Sequence, residues 1–160
     1  MILSILLPLL AFAPLDDLPG QRFNGRERQL DVAPPRTEAE IVVDGRLDEA
    51  VWRGAAVLTG FSQYAPVDGG AALDSTEVLI WYSPSAIHFG IRAFAEAGSV
   101  QATLADRDKI YGDDYIGIFL GTFNDGRQAT VFAVNPLGVE GQMQGGAVQG
   151  LGIGWTEGLQ

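Results

Sequence analysis

Ile41-Val-Val-Asp-Gly-Arg-Leu-Asp-Glu-Ala-Val-Trp52 is the stretch on which the expected fold depends. Its first three residues, 41–43, are β-branched and predict a strand. The Asp44-Gly45 pair predicts a tight turn, because Asp tolerates left-handed backbone angles and Gly adopts them freely. Residues 47–53 then have apolar side chains at helical spacing, with two acids placed where a helix N-terminus favours negative charge. The stretch therefore predicts a strand, a turn and one or two helical turns that direct Trp52 into the core.

Further strands are predicted downstream at short and regular spacing, which is typical of a sandwich. The 160 residues suit one domain with an ordinary core, and 21 Gly with 8 Pro favour many turns over long helices. Period-two alternation or β-branched content marks the predicted strands: 40–43, 57–64, 76–82, 86–94, 114–121 and 128–135, with a weaker one near 138–143. The sequence therefore predicts an all-β fold, an antiparallel β-sandwich.

The N-terminal region is expected to lie outside this domain. Residues 2–13 are apolar, end in Ala-Phe-Ala, and are too short to span a bilayer comfortably as a helix. We predict a signal peptide over residues 1–13, the alternative being an apolar N-terminal strand. Residues 14–39 are polar and rich in Pro and Arg, which predicts a linker. The predicted domain covers residues 40–160.

The opening stretch resembles that of family 9 carbohydrate-binding modules, in which a strand, Asp-Gly and then Asp-Glu-x-x-Trp recur. Later segments resemble the same family in order, over roughly residues 40–142: Thr76-Glu-Val-Leu-Ile-Trp-Tyr82, Ala86-Ile-His-Phe-Gly-Ile-Arg-Ala93, Gly112-Asp-Asp-Tyr-Ile-Gly-Ile-Phe-Leu120 and Val131-Phe-Ala-Val-Asn-Pro-Leu-Gly138. The segments resemble a variant of the family that precedes a large, uncharacterised C-terminal region in bacterial exported proteins. The resemblance implies a jelly-roll sandwich, and because the chain ends soon after a Gly-rich stretch, we expect the sandwich to be truncated at its C-terminus.

Composition excludes several classes of function. The net charge is −10, with one Lys and nine Arg, so the basic surface that nucleic-acid binding needs is not expected. Without Cys, a thiol nucleophile, a disulfide or a thiolate metal site is impossible. The sequence has no Gly-x-Ser-x-Gly, His-Glu-x-x-His or P-loop motif. We therefore expect no enzyme activity of the chain by itself, although a full-length parent could carry a glycoside hydrolase.

The candidate binding surface lies on the strand faces opposite the β-branched residues. These faces gather a set of aromatic and polar side chains: Trp81, His88, Arg92, Tyr115 and Phe119. Gly90 and Gly117 are expected to leave space between them. Sugars are bound by an aromatic platform flanked by planar polar groups, so Trp81 is the predicted platform, with Arg92, His88 and Tyr115 beside it. The alternatives are that Trp81 closes a second small core and that His88 is a satisfied strand histidine.

An acidic loop is the candidate metal site. Four aspartates fall within nine positions, as Ca²⁺ sites require clustered oxygen ligands: Asp106, Asp108, Asp113 and Asp114. Their spacing differs from an EF-hand loop, but family 9 modules bind structural calcium, so calcium is the cofactor that the resemblance implies. The alternative is a solvated loop in which Asp106 or Asp108 pairs with Arg107 or Arg127.

Together these features predict non-catalytic carbohydrate binding in an exported bacterial protein linked to polysaccharide catabolism. The expected partner is a neutral oligo- or polysaccharide, and the expected location is the periplasm, the outer membrane or the extracellular space. The alternative is a structural periplasmic cap of a membrane-embedded C-terminal region, without sugar affinity. Trp155, in the Gly-rich tail, is either a binding aromatic on a loop or a ring left unpacked.

Overall fold

A computed structural model describes residues 19–64, 66–104, 106–121, 128–138, 140–144 and 156–157. The regular secondary structure of the described residues is mostly strand, with two short 3₁₀ helices, Gly25–Glu27 and Ala50–Gly54. The strands, in chain order, are β1 Arg22–Asn24, β2 Ala56–Thr59, β3 Ser62–Gln63, β4 Gly70–Ala71, β5 Thr76–Tyr82, β6 Ile87–Ala93, β7 Ile116–Leu120, β8 Thr130–Val134, β9 Glu140–Gln144 and β10 Thr156–Glu157. None of the described helices is long and apolar enough to cross a membrane.

The described strands form three sheets. The first has the order β1-β2-β5-β6, the second β10-β3-β4 and the third β7-β8-β9. An all-β fold is therefore confirmed. The β1–β2 and β10–β3 pairs are parallel, so the prediction of a wholly antiparallel arrangement is wrong at these two places.

The central hairpin follows the sequence prediction closely. Strands β5 and β6 pair antiparallel over seven residues each, from Thr76 opposite Ala93 to Tyr82 opposite Ile87. The predicted strand over 57–64 is interrupted at Gly60, where φ is +69°. A Cβ atom there would overlap the side chain of Asn24, so only glycine fits this close approach. The chain therefore forms β2 and β3 as two separate short strands.

The predicted strand over 40–43 is wrong. These residues are outside the strands, and the side chains of Val42 and Val43 are exposed. The N–H of Val42 donates to Glu49 Oε1 at 3.1 Å, so this backbone group is satisfied by a side chain instead of a neighbouring strand. The Asp44-Gly45 turn is confirmed: Asp44 Oδ1 accepts from the N–H of Arg46 and φ of Gly45 is +81°. The helical segment starts after Glu49, at Ala50.

Part of the predicted linker belongs to the folded unit. Strand β1 aligns beside β2, and Phe23 in its centre is buried in the core. The N–H of Tyr82, at the end of β5, donates to Pro35 O at 3.0 Å, and the N–H of Thr37 donates to Tyr82 O at 2.9 Å. The domain therefore includes residues before position 40.

The first sheet has an apolar cluster on each of its two faces, because alternate residues of a strand point to opposite sides. One cluster consists of Phe23, Ala56, Leu58, Val78 and Ile80. The other consists of Trp52, Ala55, Val57, Leu79 and Trp81, with Ile41, Leu47 and Val51 packed against it. The prediction that Trp52 packs in the core is confirmed, since only 6% of this residue is exposed.

Candidate functional site

The second cluster lies on the sheet face that the sequence analysis predicts as the binding surface. We call this side of the sheet the Trp81 face. The strand register places its members in cross-strand rows, since directly opposed residues share a side of the sheet: Arg22, Val57, Glu77, Leu79, Trp81, His88, Gly90 and Arg92. The prediction that Trp81, His88, Gly90 and Arg92 share one face is therefore confirmed. The two ends of this face differ in chemistry.

The aromatic end of the Trp81 face is closed. Trp81 is fully buried, and its indole stacks on the ring of His88 with centroids 3.9 Å apart and planes 12° apart. Trp52 meets Trp81 edge-on at 6.1 Å. The prediction that Trp81 is an exposed sugar platform is wrong, because neither face of its ring is open to a ligand. Trp81 instead closes a second small core, and His88 is a packed strand histidine.

The absence of a side chain at Gly90 makes room for the segment that covers this face, which includes Leu47 and Trp52. A Cβ atom at Gly90 would lie 2.8 Å from Leu47 Cδ2 and 2.9 Å from Trp52 Cζ3. The expectation that Gly90 leaves the face open is therefore wrong. The space that the missing side chain provides is filled by residues from the stretch that opens the domain.

Tyr115 and Phe119 belong to another sheet. Tyr115 directly precedes β7, and its ring contacts Tyr111 edge-on at 5.5 Å. Phe119 lies within β7, opposite Val131 of β8, and is half exposed. The prediction that Tyr115 stands beside Trp81 on one strand face is therefore wrong, because alternation fixes the side of a strand but not the sheet that the strand joins.

The ionic end of the Trp81 face is formed by three side chains. Glu77 Oε2 lies 2.9 Å from Arg92 Nη1, and Glu77 Oε1 lies 3.2 Å from Arg22 Nη2. Glu77 is directly opposite Arg92 in the hairpin, and Arg22 extends from β1. The carboxylate thus joins guanidinium groups from both edges of the sheet.

A cleft of about 290 Å³ lies beside this ionic end, a volume at the lower limit of ordinary ligand pockets. Its lining combines apolar side chains with charged ones: Leu47, Asp48, Glu49, Ala50, Trp52, Arg53, Leu79 and Arg92. Of the predicted sugar-binding residues, Arg92 is the one that lines it. Two carboxylates and two guanidinium groups therefore surround an apolar surface.

Hydrogen bonds to two carboxylates shape one wall of the cleft. Glu49 Oε1 accepts from the N–H of Val42, and Glu49 Oε2 accepts from Trp52 Nε1 at 2.9 Å. Hydrogen bonds from the backbone amides of Glu49 itself and of Val42 hold the pKa of Glu49 below its usual value, and the indole N–H adds to this effect against the opposing cost of desolvation. Asp48 Oδ2 lies 2.9 Å from both Nε and Nη2 of Arg46. The wall is thus organised before any ligand arrives.

Two of the four aspartates of the candidate calcium loop accept hydrogen bonds from residues outside the loop. Asp113 accepts from the N–H and the hydroxyl of Thr103, both at 2.9 Å, and from Asn135 Nδ2 at 3.2 Å. The hydrogen bond from the Thr103 amide is the main cause of the lowered pKa of Asp113. Asp114 Oδ2 accepts from the N–H of Gln101 at 2.7 Å. These two carboxylates therefore hold the segment before the loop.

The other two aspartates, Asp106 and Asp108, are exposed. Asp106 pairs with Lys109 at 3.1 Å, and Asp108 adopts a left-handed backbone conformation. Arg107 lies 4.0 Å from Glu140. Within the described ranges, no group of three or more His, Asp or Glu side chains comes close enough to hold a metal ion.

The sequence analysis missed three charged residues of the cleft, Asp48, Glu49 and Arg53. It also missed Glu77, which pairs with Arg92 beside the cleft. The signal for Glu77 was available, because the hairpin register places it opposite Arg92. The predicted signal peptide, Trp155 and Arg127 lie outside the described residues. Comparison of the chain with protein-family models, with curated proteins and with solved structures finds no match.

Proposed function

We propose that this chain is a non-catalytic carbohydrate-binding domain of an exported bacterial protein linked to polysaccharide catabolism. In this proposal the sheets form a jelly-roll sandwich related to family 9 carbohydrate-binding modules, and the ligand is a neutral oligo- or polysaccharide. The observation that carries the proposal is the cleft in which Arg92 stands with Asp48, Glu49 and Arg53 around an apolar surface.

The chemistry of the cleft suits a neutral sugar. A sugar ring offers apolar C–H faces, which the half-buried side chain of Leu47 can contact, and hydroxyl groups that both donate and accept. Carboxylates accept from hydroxyls and guanidinium groups donate to them. Asp48 and Glu49 balance the charges of Arg53 and Arg92, so the lining has no net charge that would favour an ionic ligand.

The size of the cleft suggests weak binding of a short ligand. A volume of about 290 Å³ accommodates little more than one sugar unit. A single sugar buries little area, and ordering it costs entropy, so a low affinity is expected. Binding of a neutral ligand is also expected to change little with salt concentration, because long-range charge attraction contributes little to it.

The alternative proposal is a structural periplasmic cap of a membrane-embedded C-terminal region. The observation that favours it is the burial of Trp81, since the ring best suited to sugar stacking is used for packing.

Titration calorimetry separates the two proposals. The full chain is titrated with cello-, xylo-, malto- and laminari-oligosaccharides, in parallel with the Arg92→Gln variant. We expect Arg92→Gln to weaken binding about tenfold, because a hydrogen bond to a charged group contributes about 1.5–3 kcal/mol. Arg26→Gln, an exposed arginine on the Gly25–Glu27 turn, is the control. Absence of binding to every glycan favours the cap, whereas equal binding by Arg92→Gln moves the site elsewhere.

Structural calcium in the loop 106–114 remains a second proposal, motivated by its four aspartates. An ion that binds only the folded state raises the melting temperature. We expect a higher melting temperature in millimolar Ca²⁺ than in EDTA, and loss of that difference in Asp108→Asn. Identical melts in the two buffers would exclude a structural ion.

A further inference from the structure

Glu77 is placed to control Arg92 without lining the cleft itself. Each of its carboxylate oxygens contacts a different arginine, Oε2 with Arg92 and Oε1 with Arg22. Its side chain is 22% exposed, against 45% for Arg92 and 63% for Arg22. The least exposed member of the three is therefore the one that joins the other two.

A guanidinium group held in advance is a better ligand group than a free one. An arginine side chain has many rotamers, and ordering it at the moment of binding lowers affinity. Glu77 contacts Nη1 of Arg92, while a guanidinium group has five N–H donors in a fixed plane. Contact with Glu77 thus orients Arg92 and leaves further donors of the same plane for a ligand.

Arg22 completes the arrangement from the opposite edge of the sheet, on the same face. A carboxylate that contacts one arginine can rotate with it, whereas one that contacts two arginines on opposite sides is restricted. Arg22 reaches Glu77 from β1, across β2, while Arg92 is on the adjacent strand β6. The ion triad therefore joins three strands of the first sheet, β1, β5 and β6, across β2 at the rim of the cleft.

We propose that Glu77 is a positioning residue of the carbohydrate site. It fixes Arg92 at the rim of the cleft, and its second ion pair, with Arg22, restricts the rotation of its carboxylate. This role rests on the proposed carbohydrate-binding function. Glu77→Gln keeps the shape of the side chain but removes its charge, so it releases Arg92 while leaving the lining of the cleft intact.

A double-mutant cycle tests this role by titration calorimetry with the tightest-binding oligosaccharide of the neutral panel. We expect Glu77→Gln to weaken binding three- to tenfold in the wild-type background and to have no further effect in the Arg92→Gln background. Glu96→Gln, an exposed glutamate outside the triad, is the matched charge control and should bind as the wild type does. A loss of equal size in both backgrounds would overturn the proposal.

Chemical modification gives a readout that does not depend on sugar. Phenylglyoxal labelling followed by mass spectrometry reports the reaction rate of each arginine, and we expect Glu77→Gln to raise the rate at Arg92 severalfold with no change at Arg53. An unchanged rate at Arg92 would overturn the positioning role. Failure of the wild type to bind any glycan would overturn the proposed function and this role with it. Normal sugar binding by Glu77→Gln would overturn the role alone.

Discussion

The two ends of the Trp81 face are built from the same two strands, but one end is buried and the other borders a cleft. At one end, Trp81 stacks on His88 and is met edge-on by Trp52. At the other end, Glu77 and Arg92 are paired at the rim of a cleft. The row of Leu79 and Gly90 lies between them. The comparison teaches that an aromatic side chain in a favourable position is not a binding group when another segment of the chain covers it.

The largest expected effect comes from opening the closed end. Trp52→Ala removes the ring that packs edge-on against Trp81 and that also lines the cleft. We expect the free energy of unfolding to fall by about 3–5 kcal/mol, the range for truncation of a buried aromatic residue. Tyr64, which is 70% exposed, provides the control variant Tyr64→Ala. A loss below about 1 kcal/mol for Trp52→Ala in chemical denaturation would contradict the closed core.

The boundary between the two ends is tested at Gly90. Gly90→Ala places a methyl group against Leu47 and Trp52, where the space is already filled. We expect a destabilisation of about 1–3 kcal/mol, as for other overpacked cores. The control is Gly112→Ala, because a Cβ atom at Gly112 would meet no atom within 4 Å. Equal stability of the two variants in thermal melts would show that the covering segment does not pack as described.

Acid pH should loosen the segment that covers the Trp81 face, because Glu49 accepts hydrogen bonds from Val42 and Trp52 in that segment. The pKa of Glu49 is lowered in the folded state from 4.5, so its contribution to stability is complete above that value. This contribution is lost as the pH falls below 4.5 towards the lower folded pKa. Asp113, lowered from 3.8, acts in the same direction at lower pH. Unfolding free energies measured between pH 6 and pH 3 should therefore decline, and the decline should be smaller in Glu49→Gln. Parallel declines in the two proteins would contradict this role of Glu49.

The hairpin could be predicted from the sequence because its pattern is long and local. Strands β5 and β6 differ from their predicted ranges by at most one residue at an end, since alternation over seven residues fixes both the strand and its faces. The prediction over 40–43 failed because β-branched residues favour strands only where a partner strand is available. The Val42 amide has a carboxylate as its partner instead.

The site was only partly predictable for a different reason. Arg92 could be assigned to the correct face from alternation alone, and its partner Glu77 from the hairpin register. Alternation left open whether Trp81 is a binding platform or closes a second small core, because its burial depends on contacts with residues 47–52, about thirty positions earlier in the chain. Local alternation predicts on which face of a strand a residue lies, whereas long-range packing decides which segment covers that face.

The most direct test of the cleft as the sugar site is a ¹⁵N-HSQC titration that follows the indole N–H signals of Trp52 and Trp81, assigned with Trp52→Phe and Trp81→Phe variants. The Trp52 indole donates to Glu49 at the wall of the cleft, whereas Trp81 is enclosed with His88. With the tightest-binding neutral oligosaccharide, we predict a saturable shift of the Trp52 signal and little change in the Trp81 signal. A saturable shift at Trp81 with an unmoved Trp52 signal would contradict the account and return the site to the closed end of the face.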